Sequence, residues 1–147
     1  MKVTIKRIDK DLPLPRHETA GSVAVDLIIR ETATFAPGES ILMPANIIVA
    51  TPPGYMFMIA PRSSLSRKKH LAMRNSIGII DQDYRGPDDE VHVLLYNFGD
   101  TPVTIERGER VAQGIFVKIE QVEWDEVEKI DAPSRGRFGS TGGYAGT

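Results

Sequence analysis

Short hydrophobic runs recur along the chain and are separated by polar segments rich in turn-forming residues. The runs that predict strands are VTIKRI, VAVDLII, SILMPANIIVA, YMFMIA, VHVLLYNF, TPVTIERG and RVAQGIFVKIEQVEW. Between them, DLPLP, APGES, TPPG, RGPDDE and NFGD supply Pro, Gly, Asn and Asp, which favour turns. This rhythm predicts an all-β fold, a jelly-roll-like β-barrel of short, mostly antiparallel strands.

One short helix is expected in the segment SSLSRKKHL. Ser63 or Ser64 could cap its start, because serine hydroxyls accept bonds from free backbone N–H groups. The basic residues at positions 67–70 would lie near the negative end of the helix dipole. Such a helix would be only about two turns long.

The composition changes after Ile130. Residues 1–130 fit a single β-barrel domain, and residues 131–147, DAPSRGRFGSTGGYAGT, hold five glycines and little apolar surface. A segment of this kind cannot bury enough apolar surface to fold alone. We therefore expect a mobile C-terminal arm within the same single-domain protein.

Charge and cysteine content exclude several classes of protein. The formal net charge of 147 residues is only -2, so no global field draws the chain to nucleic acid or to an anionic membrane. Cysteine is absent, which rules out disulfides and suits a reducing compartment. The first residues lack the apolar core of a signal peptide, and no apolar run approaches the ~20 residues of a membrane span. We expect a soluble, cytoplasmic protein.

The stretch IGIIDQDYRG joins an apolar run, which predicts a buried strand, to two carboxylates. If the strand continued, Asp81 and Asp83 would point to one face, while Gln82 and Tyr84 would point to the other. A carboxylate at the mouth of a dry pocket could hold and deprotonate a water molecule. Aspartates at strand ends are also common turn formers, and the spacing alone favours that interpretation.

The segment APRSSLS offers a possible phosphate site. Arg62 carries a guanidinium fork, Ser63 and Ser64 carry hydroxyls, and a helix start points backbone N–H groups outward. A capped helix with a surface arginine explains the same residues equally well.

The tail RGRFGSTGG is a stronger indication of ligand binding. Its glycines let backbone amides close around phosphate oxygens, and Phe138 presents a flat face on which a base could stack. Arg135 and Arg137 add charge, and Ser140 and Thr141 add hydroxyls. Flexible linkers rarely interleave such residues so densely, so a binding function is preferred to a linker.

Two polar residues stand inside apolar runs. Gln113 either satisfies nearby backbone or reaches into a site, and Asp26 must be paired, hydrated or functional. The three histidines, His17, His70 and His92, show no ligand spacing, so no protein-bound zinc site is expected.

Taken in order, five segments between residues 19 and 142 resemble the five motifs of the trimeric deoxyuridine triphosphatases. They are AGSVAVDLI, PRSSLS, NSIGIIDQDYRG, RGERVAQGIF and RGRFGSTGG. The resemblance implies hydrolysis of dUTP to dUMP and pyrophosphate, which keeps uracil out of DNA and supplies dUMP for thymidylate synthesis. It also implies a homotrimer with shared active sites.

The resemblance implies catalytic and metal-binding roles for three residues. Asp81 would activate the attacking water, and Gln113 would help to hold it. Asp26 would touch a Mg²⁺ ion through its water shell, the ion being held mainly by the substrate phosphates. The implied phosphate contacts on the barrel are Arg62, Ser63 and Ser64.

For the nucleoside, the resemblance implies a hairpin in which Asn75 and the backbone at Gly78 and Ile80 bind uracil. Tyr84 would pack under the deoxyribose, where a ribose 2′-hydroxyl would clash. The arm would close over the nucleotide, and its implied contacts are Arg135, Phe138, Gly139, Ser140 and Thr141. Whether Arg135 or Arg137 grips the γ-phosphate stays open, because both lie closer to Phe138 than the family's usual arginine does.

Other interpretations remain. A dCTP deaminase, or a bifunctional deaminase and hydrolase, would share the fold and the Arg-Ser-Ser-Leu segment. A catalytically silent relative could sense nucleotides or bind proteins, and a plain β-roll scaffold is the simplest alternative. Around Pro87 the segment RGPDDEVHV is about three residues longer than the common form, which predicts a longer surface turn.

Overall fold

Residues 1–134 and 136 are described by the structure, a computed structural model. Within these residues the chain forms eleven β-strands and one α-helix. They are β1 Thr4–Arg7, β2 Val25–Ile28, β3 Ala33–Phe35, β4 Ser40–Pro44, β5 Ile47–Ala50, β6 Tyr55–Pro61, α1 Leu65–Lys69, β7 Leu71–Met73, β8 Gly78–Ile80, β9 His92–Asn97, β10 Val103–Ile105 and β11 Arg110–Lys118. No helix in this part of the chain is long and apolar enough to cross a membrane.

Each strand pairing in the described residues is antiparallel. The largest sheet has the order β2-β11-β6-β8, and a second sheet has the order β4-β9-β7. Two further pairs, β1-β5 and β10-β3, complete the arrangement. The prediction of an all-β, jelly-roll-like fold with one short helix is confirmed.

The core lies between the two larger sheets. Along β9, buried and half-buried residues alternate, so Val93 and Leu95 point inward while their neighbours face outward. Leu27 of β2 and Phe57 of β6 belong to the same buried cluster. Because this alternation has a period of two, a slip of one residue in register would expose the apolar side chains of a strand.

The run SILMPANIIVA forms two strands in different sheets rather than one. β4 ends at Pro44, and Asn46 adopts a left-handed backbone conformation with φ 65° before β5 begins at Ile47. Asparagine tolerates this conformation better than most residues, because its short polar side chain bonds locally to the backbone.

Buried polar contacts fix this change of direction. The Asn46 side chain accepts a bond from Asp9 N at 2.6 Å and donates to Asp9 O at 3.0 Å. Its backbone N–H donates to Glu90 Oε1 at 2.9 Å, and Arg30 donates to both oxygens of the Glu90 carboxylate from Nε and Nη2. Hydrogen bonding to Glu90 raises the pKa of Arg30 above its ordinary value. The buried acid is therefore paired and bonded on both oxygens, as burial requires.

The predicted helix is present, but the predicted cap is wrong. Ser64 lies at the N-cap position with helical angles (φ -89°, ψ -11°), and its side chain makes no capping bond within the described chain. The backbone closes the turn instead, since Leu65 N donates to Arg62 O at 3.0 Å. The helix ends at Lys69, and its C-cap residue His70 has a left-handed backbone conformation with φ 52°.

Two strand predictions are corrected. The apolar run before Asp81 forms β8, but this strand is not buried, since Ile79 is 56% exposed and Gly78 and Ile80 are only half-buried. β8 lies at the edge of its sheet, pairs only with β6 among the strands of residues 1–134, and ends at Ile80. The alternation therefore does not reach Asp81 and Asp83. The last predicted run also ends early, at Lys118.

Candidate active site

A polar cleft of about 270 Å³ opens beside the large sheet. Its lining comes from three parts of the chain, residues 18–26, residues 62–63 and Gln113, and includes the polar side chains of Glu18, Asp26, Arg62, Ser63 and Gln113. Four of them are residues that the sequence singled out. The structure thus brings together Asp26, Arg62, Ser63 and Gln113.

Strand register explains why Asp26 and Gln113 meet. Gln113 of β11 lies directly opposite Asp26 of β2, and residues opposite each other in an antiparallel pair project from the same face. The Gln113 side chain donates to Pro61 O at 3.1 Å. Gln113 therefore does both things that its apolar context suggested, since it satisfies nearby backbone and lines a site.

The Asp26 carboxylate is held by arginine. Its side chain is 14% exposed, Arg62 Nε lies 3.2 Å from Oδ1, and Arg110 Nη1 lies 3.5 Å from Oδ2. Of the three expected alternatives for this carboxylate, paired, hydrated or functional, the structure shows that it is paired. A guanidinium and a carboxylate at this depth give the cleft fixed charges of both signs.

Glu18 lines this cleft, Arg110 borders it through contacts to Glu18 and Asp26, and sequence reasoning missed both as site residues. Arg110 Nη1 donates to Glu18 Oε1 at 2.7 Å, which places a second ion pair beside Asp26. Arg110 stands in the motif RGERVAQGIF, but the motif does not reveal the direction of its side chain. One feature of the sequence could have indicated this direction. Val111 and Ala112 are consecutive apolar residues, and they break the alternation expected of a strand.

A second cleft, here called the acidic cleft, has a volume of about 400 Å³ and includes Asp81, Gln82 and Asp83 in its lining. Gln82 donates to Tyr55 O at 3.1 Å, which holds the segment against β6. Asp81 is exposed, and its carboxylate forms no ion pair with any residue that the structure describes. The acidic cleft thus offers a free carboxylate.

The hairpin before the acidic cleft carries the predicted nucleoside contacts. Asn75 is exposed at its tip, and Asn75 O accepts a bond from Ile77 N at 2.7 Å. Gly78 packs closely on β6, since an added Cβ would lie 3.2 Å from Ile59 Cβ. After the hairpin, Tyr84 donates from its hydroxyl to Glu90 O at 3.1 Å. This bond fixes the aromatic ring at the surface.

The two clefts are well separated within one chain. Gln113 lies opposite Ala60 of β6, whereas Ile80 lies opposite Phe57 of the same strand. With about 3.3 Å per residue and about 4.8 Å between strands, the Cα atoms of Gln113 and Asp81 are on the order of 15 Å apart. A single chain therefore does not bring Asp81 and Gln113 to one reacting atom.

The remaining predicted residues divide into two groups. Ser64 is half-buried beside Ser63, at the start of α1. The arm residues lie outside the described part of the chain, and they are Arg135, Arg137, Phe138, Gly139, Ser140 and Thr141.

A metal ion would find oxygen donors in the polar cleft. Asp26, Ser63 and Gln113 offer carboxylate, hydroxyl and amide oxygens, which suit a hard cation such as Mg²⁺. Among the described residues there is no group of three or more His, Cys, Asp or Glu that could hold a metal. The residues present fit an ion that takes most of its ligands from a bound phosphate and touches the protein at one carboxylate.

Fold and clefts together define an all-β, jelly-roll-like protein equipped for nucleoside phosphate chemistry. A family model described as dUTPase matches residues 10–142. The deoxyuridine 5'-triphosphate nucleotidohydrolase of Dictyoglomus turgidum is 40% identical over 148 residues, covering 97% of this chain and 99% of that protein. The enzyme of the same name from Corynebacterium diphtheriae is 43% identical over 143 residues, covering 95% and 92%.

Solved structures agree with these relatives. The crystal structure of dUTPase from Streptococcus mutans has a TM-score of 0.75 and 31% identity, covering 82% of this chain and 98% of that one. Staphylococcus bacteriophage 80alpha dUTPase, solved with dUPNHPP, has a TM-score of 0.85 at 24% identity and covers 96% and 98%, so it shares the fold. The chain belongs to the dUTPase family, a family of enzymes.

Proposed function

We propose that this chain hydrolyses dUTP to dUMP and pyrophosphate. The observation that carries the proposal is the match to the dUTPase family over residues 10–142. The polar cleft supports it, because Asp26, Arg62 and Gln113 lie together there. The absence of cysteine agrees with a site of action in the cytoplasm.

Arg62, Ser63 and Ser64 bind the phosphates in this proposal. The guanidinium of Arg62 is 39% exposed at the cleft, so it is open to a ligand. Its planar fork suits phosphate oxygens better than an ammonium group does, because it donates two parallel hydrogen bonds. The Ser64 hydroxyl makes no capping bond within the described chain, so it is available to bind phosphate.

Asp81 acts as the general base, and Gln113 helps to hold the water. The carboxylate takes a proton from water, whose oxygen forms a bond to the α-phosphorus. The bond from the α-phosphorus to the bridging oxygen breaks, and its electron pair leaves with pyrophosphate. The exposure of Asp81 and its lack of an ion-pair partner in residues 1–134 support this role, because a paired carboxylate is a weaker base.

Asp26 is the residue that would contact Mg²⁺ through its water shell. A Mg²⁺ ion on the triphosphate supplies neutralisation of the phosphoryl charge. Asp26 would orient the ion's water shell from the lining of the polar cleft, where its carboxylate already faces two guanidinium groups.

Selection of the nucleoside falls to the hairpin. Asn75 and the backbone of Gly78 and Ile80 bind the edge of uracil and leave no room for a thymine methyl group. The ring of Tyr84 packs under the deoxyribose and excludes a ribose 2′-hydroxyl. The edge position of β8 and the anchored Tyr84 hydroxyl support these roles, since both present fixed groups to solvent.

The C-terminal arm, residues 131–147, closes over the nucleotide in this proposal. Phe138 stacks on uracil, and a lid of this kind excludes bulk water from the reacting phosphate. The polar arm contacts proposed for the phosphates are Arg135, Gly139, Ser140 and Thr141. Deleting residues 135–147 should abolish most turnover and leave the melting temperature unchanged, whereas a large fall in melting temperature would contradict it.

We further propose a homotrimer in which each active site is shared. The separation of the two clefts supports this, because Asp81 of one chain needs the Gln113 of another. Co-expression of two variants tests the shared active site directly. Asp81→Asn and Arg62→Gln chains, each impaired alone, should recover part of the wild-type activity when they are co-expressed and form mixed trimers. No recovery, or a monomer in sedimentation, would overturn the proposal.

The activity itself is tested with four nucleotides. The protein is incubated with Mg²⁺ and dUTP, dCTP, dTTP or UTP in separate tubes, and pyrophosphate and ammonia are measured. Pyrophosphate from dUTP alone supports the proposal. Ammonia from dCTP would identify a deaminase, and no product from any tube would identify a nucleotide-binding protein without activity.

A further inference from the structure

A β-bulge in β11 sets the direction of Arg110. Arg110 lies opposite Ile28, but Ala112 lies opposite Leu27, so Val111 is the extra residue. Val111 and Ala112 are both buried, at 1% and 0% exposure, where a regular strand would turn one of them outward. An inserted residue moves every side chain before it to the other face. The bulge therefore points Arg110 to the face that carries the polar cleft.

The same bulge binds Arg62 through its backbone and through its side chain. The Arg62 backbone N–H donates to Val111 O at 3.2 Å, and its Nη1 donates to Arg110 O at 3.2 Å. Two adjacent carbonyls of the bulge thus fix the backbone and the guanidinium of one arginine. The Nε of Arg62 faces Asp26 at the same time, at 3.2 Å.

The charges around Asp26 form a connected cluster of two acids, Asp26 and Glu18, with Arg62 and Arg110, and Arg16 lies at its edge, 3.6 Å from Glu18. Arg110 contacts Glu18 at 2.7 Å and Asp26 at 3.5 Å, while Arg62 contacts Asp26. A carboxylate that is only 14% exposed is costly to leave without a cation. If Arg62 turns to a phosphate, Arg110 is the cation that stays with Asp26.

We propose that Arg110 is a positioning residue, which keeps Asp26 oriented and compensated while Arg62 turns from Asp26 to the triphosphate. Glu18 anchors Arg110 in the required position. The inference rests on the proposed function of the polar cleft. Without Arg110, Asp26 holds Arg62 as its remaining protein cation, and the triphosphate has to compete with Asp26 for that arginine.

The test compares Arg110→Gln with wild type, using the non-hydrolysable analogue dUPNHPP with and without Mg²⁺. We expect about tenfold weaker analogue binding without Mg²⁺, on the scale of one lost charge-assisted contact. The rise in KM should exceed the fall in kcat. Arg110→Lys, which keeps the charge, should recover affinity to within about threefold of wild type.

Arg107→Gln is the matched control. Arg107 stands three residues earlier, in the turn before β11, and forms an ion pair with Asp9 at 2.6 Å, away from both clefts. It should change neither the analogue affinity nor KM. An equal loss of affinity in both arginine variants would show a general structural effect and would overturn the inference.

A double-mutant cycle with Asp26→Asn gives the decisive readout. Once Asp26 is neutral, Arg110→Gln should no longer weaken analogue binding, because no carboxylate competes for Arg62. Additive losses would overturn the inference. Should Arg110→Gln fail to fold, Glu18→Gln removes the anchor without touching β11, and about threefold weaker binding is expected from a partly exposed pair.

The outcomes separate this inference from the proposed function. Wild type that hydrolyses dUTP, together with normal KM and affinity in both Arg110→Gln and Glu18→Gln, overturns the positioning role alone. Wild type that neither binds the analogue nor hydrolyses dUTP overturns both.

Discussion

The two clefts are built from the same four-stranded sheet, but they treat charge in opposite ways. In the polar cleft, Asp26 and Glu18 each contact an arginine. In the acidic cleft, Asp81 is exposed and has no ion-pair partner among residues 1–134. Paired charges hold a geometry, whereas a free carboxylate is able to accept a proton. One cleft is therefore suited to binding and the other to proton transfer.

Asp81→Asn tests the acidic half of this contrast and should have the largest effect. Turnover should fall by about two to four powers of ten, the scale of a lost general base, while analogue affinity stays near normal. The melting temperature should not change, because the carboxylate has no ion pair to lose. Steady-state kinetics and calorimetry measure both quantities.

Asp88→Asn is the matched control for that variant. Asp88 is an exposed acid in the following turn, so turnover should stay within about twofold of wild type, as is usual for surface substitutions. Unchanged turnover in Asp81→Asn would remove the distinction between the two clefts.

Gly114→Ala tests the packing of β11 against β6 beneath the polar cleft. An added Cβ would overlap the ring of Phe57, whose ring centroid lies 4.8 Å from that of Phe116. Overpacking of this kind destabilises by about 1–3 kcal/mol or more, measured by denaturant unfolding. Gly21→Ala is the control, because nothing lies within 4 Å of its added Cβ. Equal stability of the two variants would show that β11 moves away freely.

Arg62→Lys tests whether the polar cleft acts in binding rather than in the chemical step. Lysine keeps the charge but loses the fork that contacts Asp26 and Arg110 O, so KM should rise about tenfold. Unlike Asp81→Asn, this variant should keep most of its kcat. A fall in kcat with an unchanged KM would place Arg62 in the chemical step instead.

Asp9 lies outside both clefts, and Asp9→Asn should have the smallest effect, which is on stability at acid pH. The hydrogen bond from Arg107 lowers the pKa of Asp9 below its ordinary value of 3.8. Because the folded-state pKa is the lower one, this contact stabilises the fold above pH 3.8 and is lost as the pH falls below that value.

Melting temperatures measured over acid pH check this prediction. Between about pH 5 and about pH 3, wild type should lose slightly more stability than Asp9→Asn, with no change in activity at neutral pH. Asp11→Asn, the neighbouring exposed acid, is the control. Identical pH profiles for wild type and Asp9→Asn would contradict the expected linkage.

Much of the fold was readable from the sequence, because the apolar runs and turn residues act locally. β3 and β7 were missed, since each is a three-residue strand that lies between charged or turn-forming residues and belongs to no longer apolar run. The burial of β8 was wrongly predicted because an apolar run does not reveal whether its strand lies at a sheet edge. The capping role of Ser64 was also wrong, since a backbone bond closes that turn.

For the site, the sequence identified Asp26, Arg62 and Gln113 but not the contacts that join them. Asp26 and Gln113 meet through the pairing of two strands that lie 87 residues apart in the sequence (113 − 26). Pairing over such a distance cannot be predicted from the residues around either position. Arg110 was missed because its direction depends on a bulge. The separation of Asp81 from Gln113 likewise depends on register and not on motif order.

The break in the run SILMPANIIVA has a consequence for the unfolded protein. An uninterrupted apolar segment of this length, rich in β-branched residues, is the kind that stacks with copies of itself into cross-β aggregates. Pro44 and Asn46 interrupt it at the point where the native chain changes sheets. The same two residues that direct the fold thus also act as gatekeepers against self-association during synthesis and refolding.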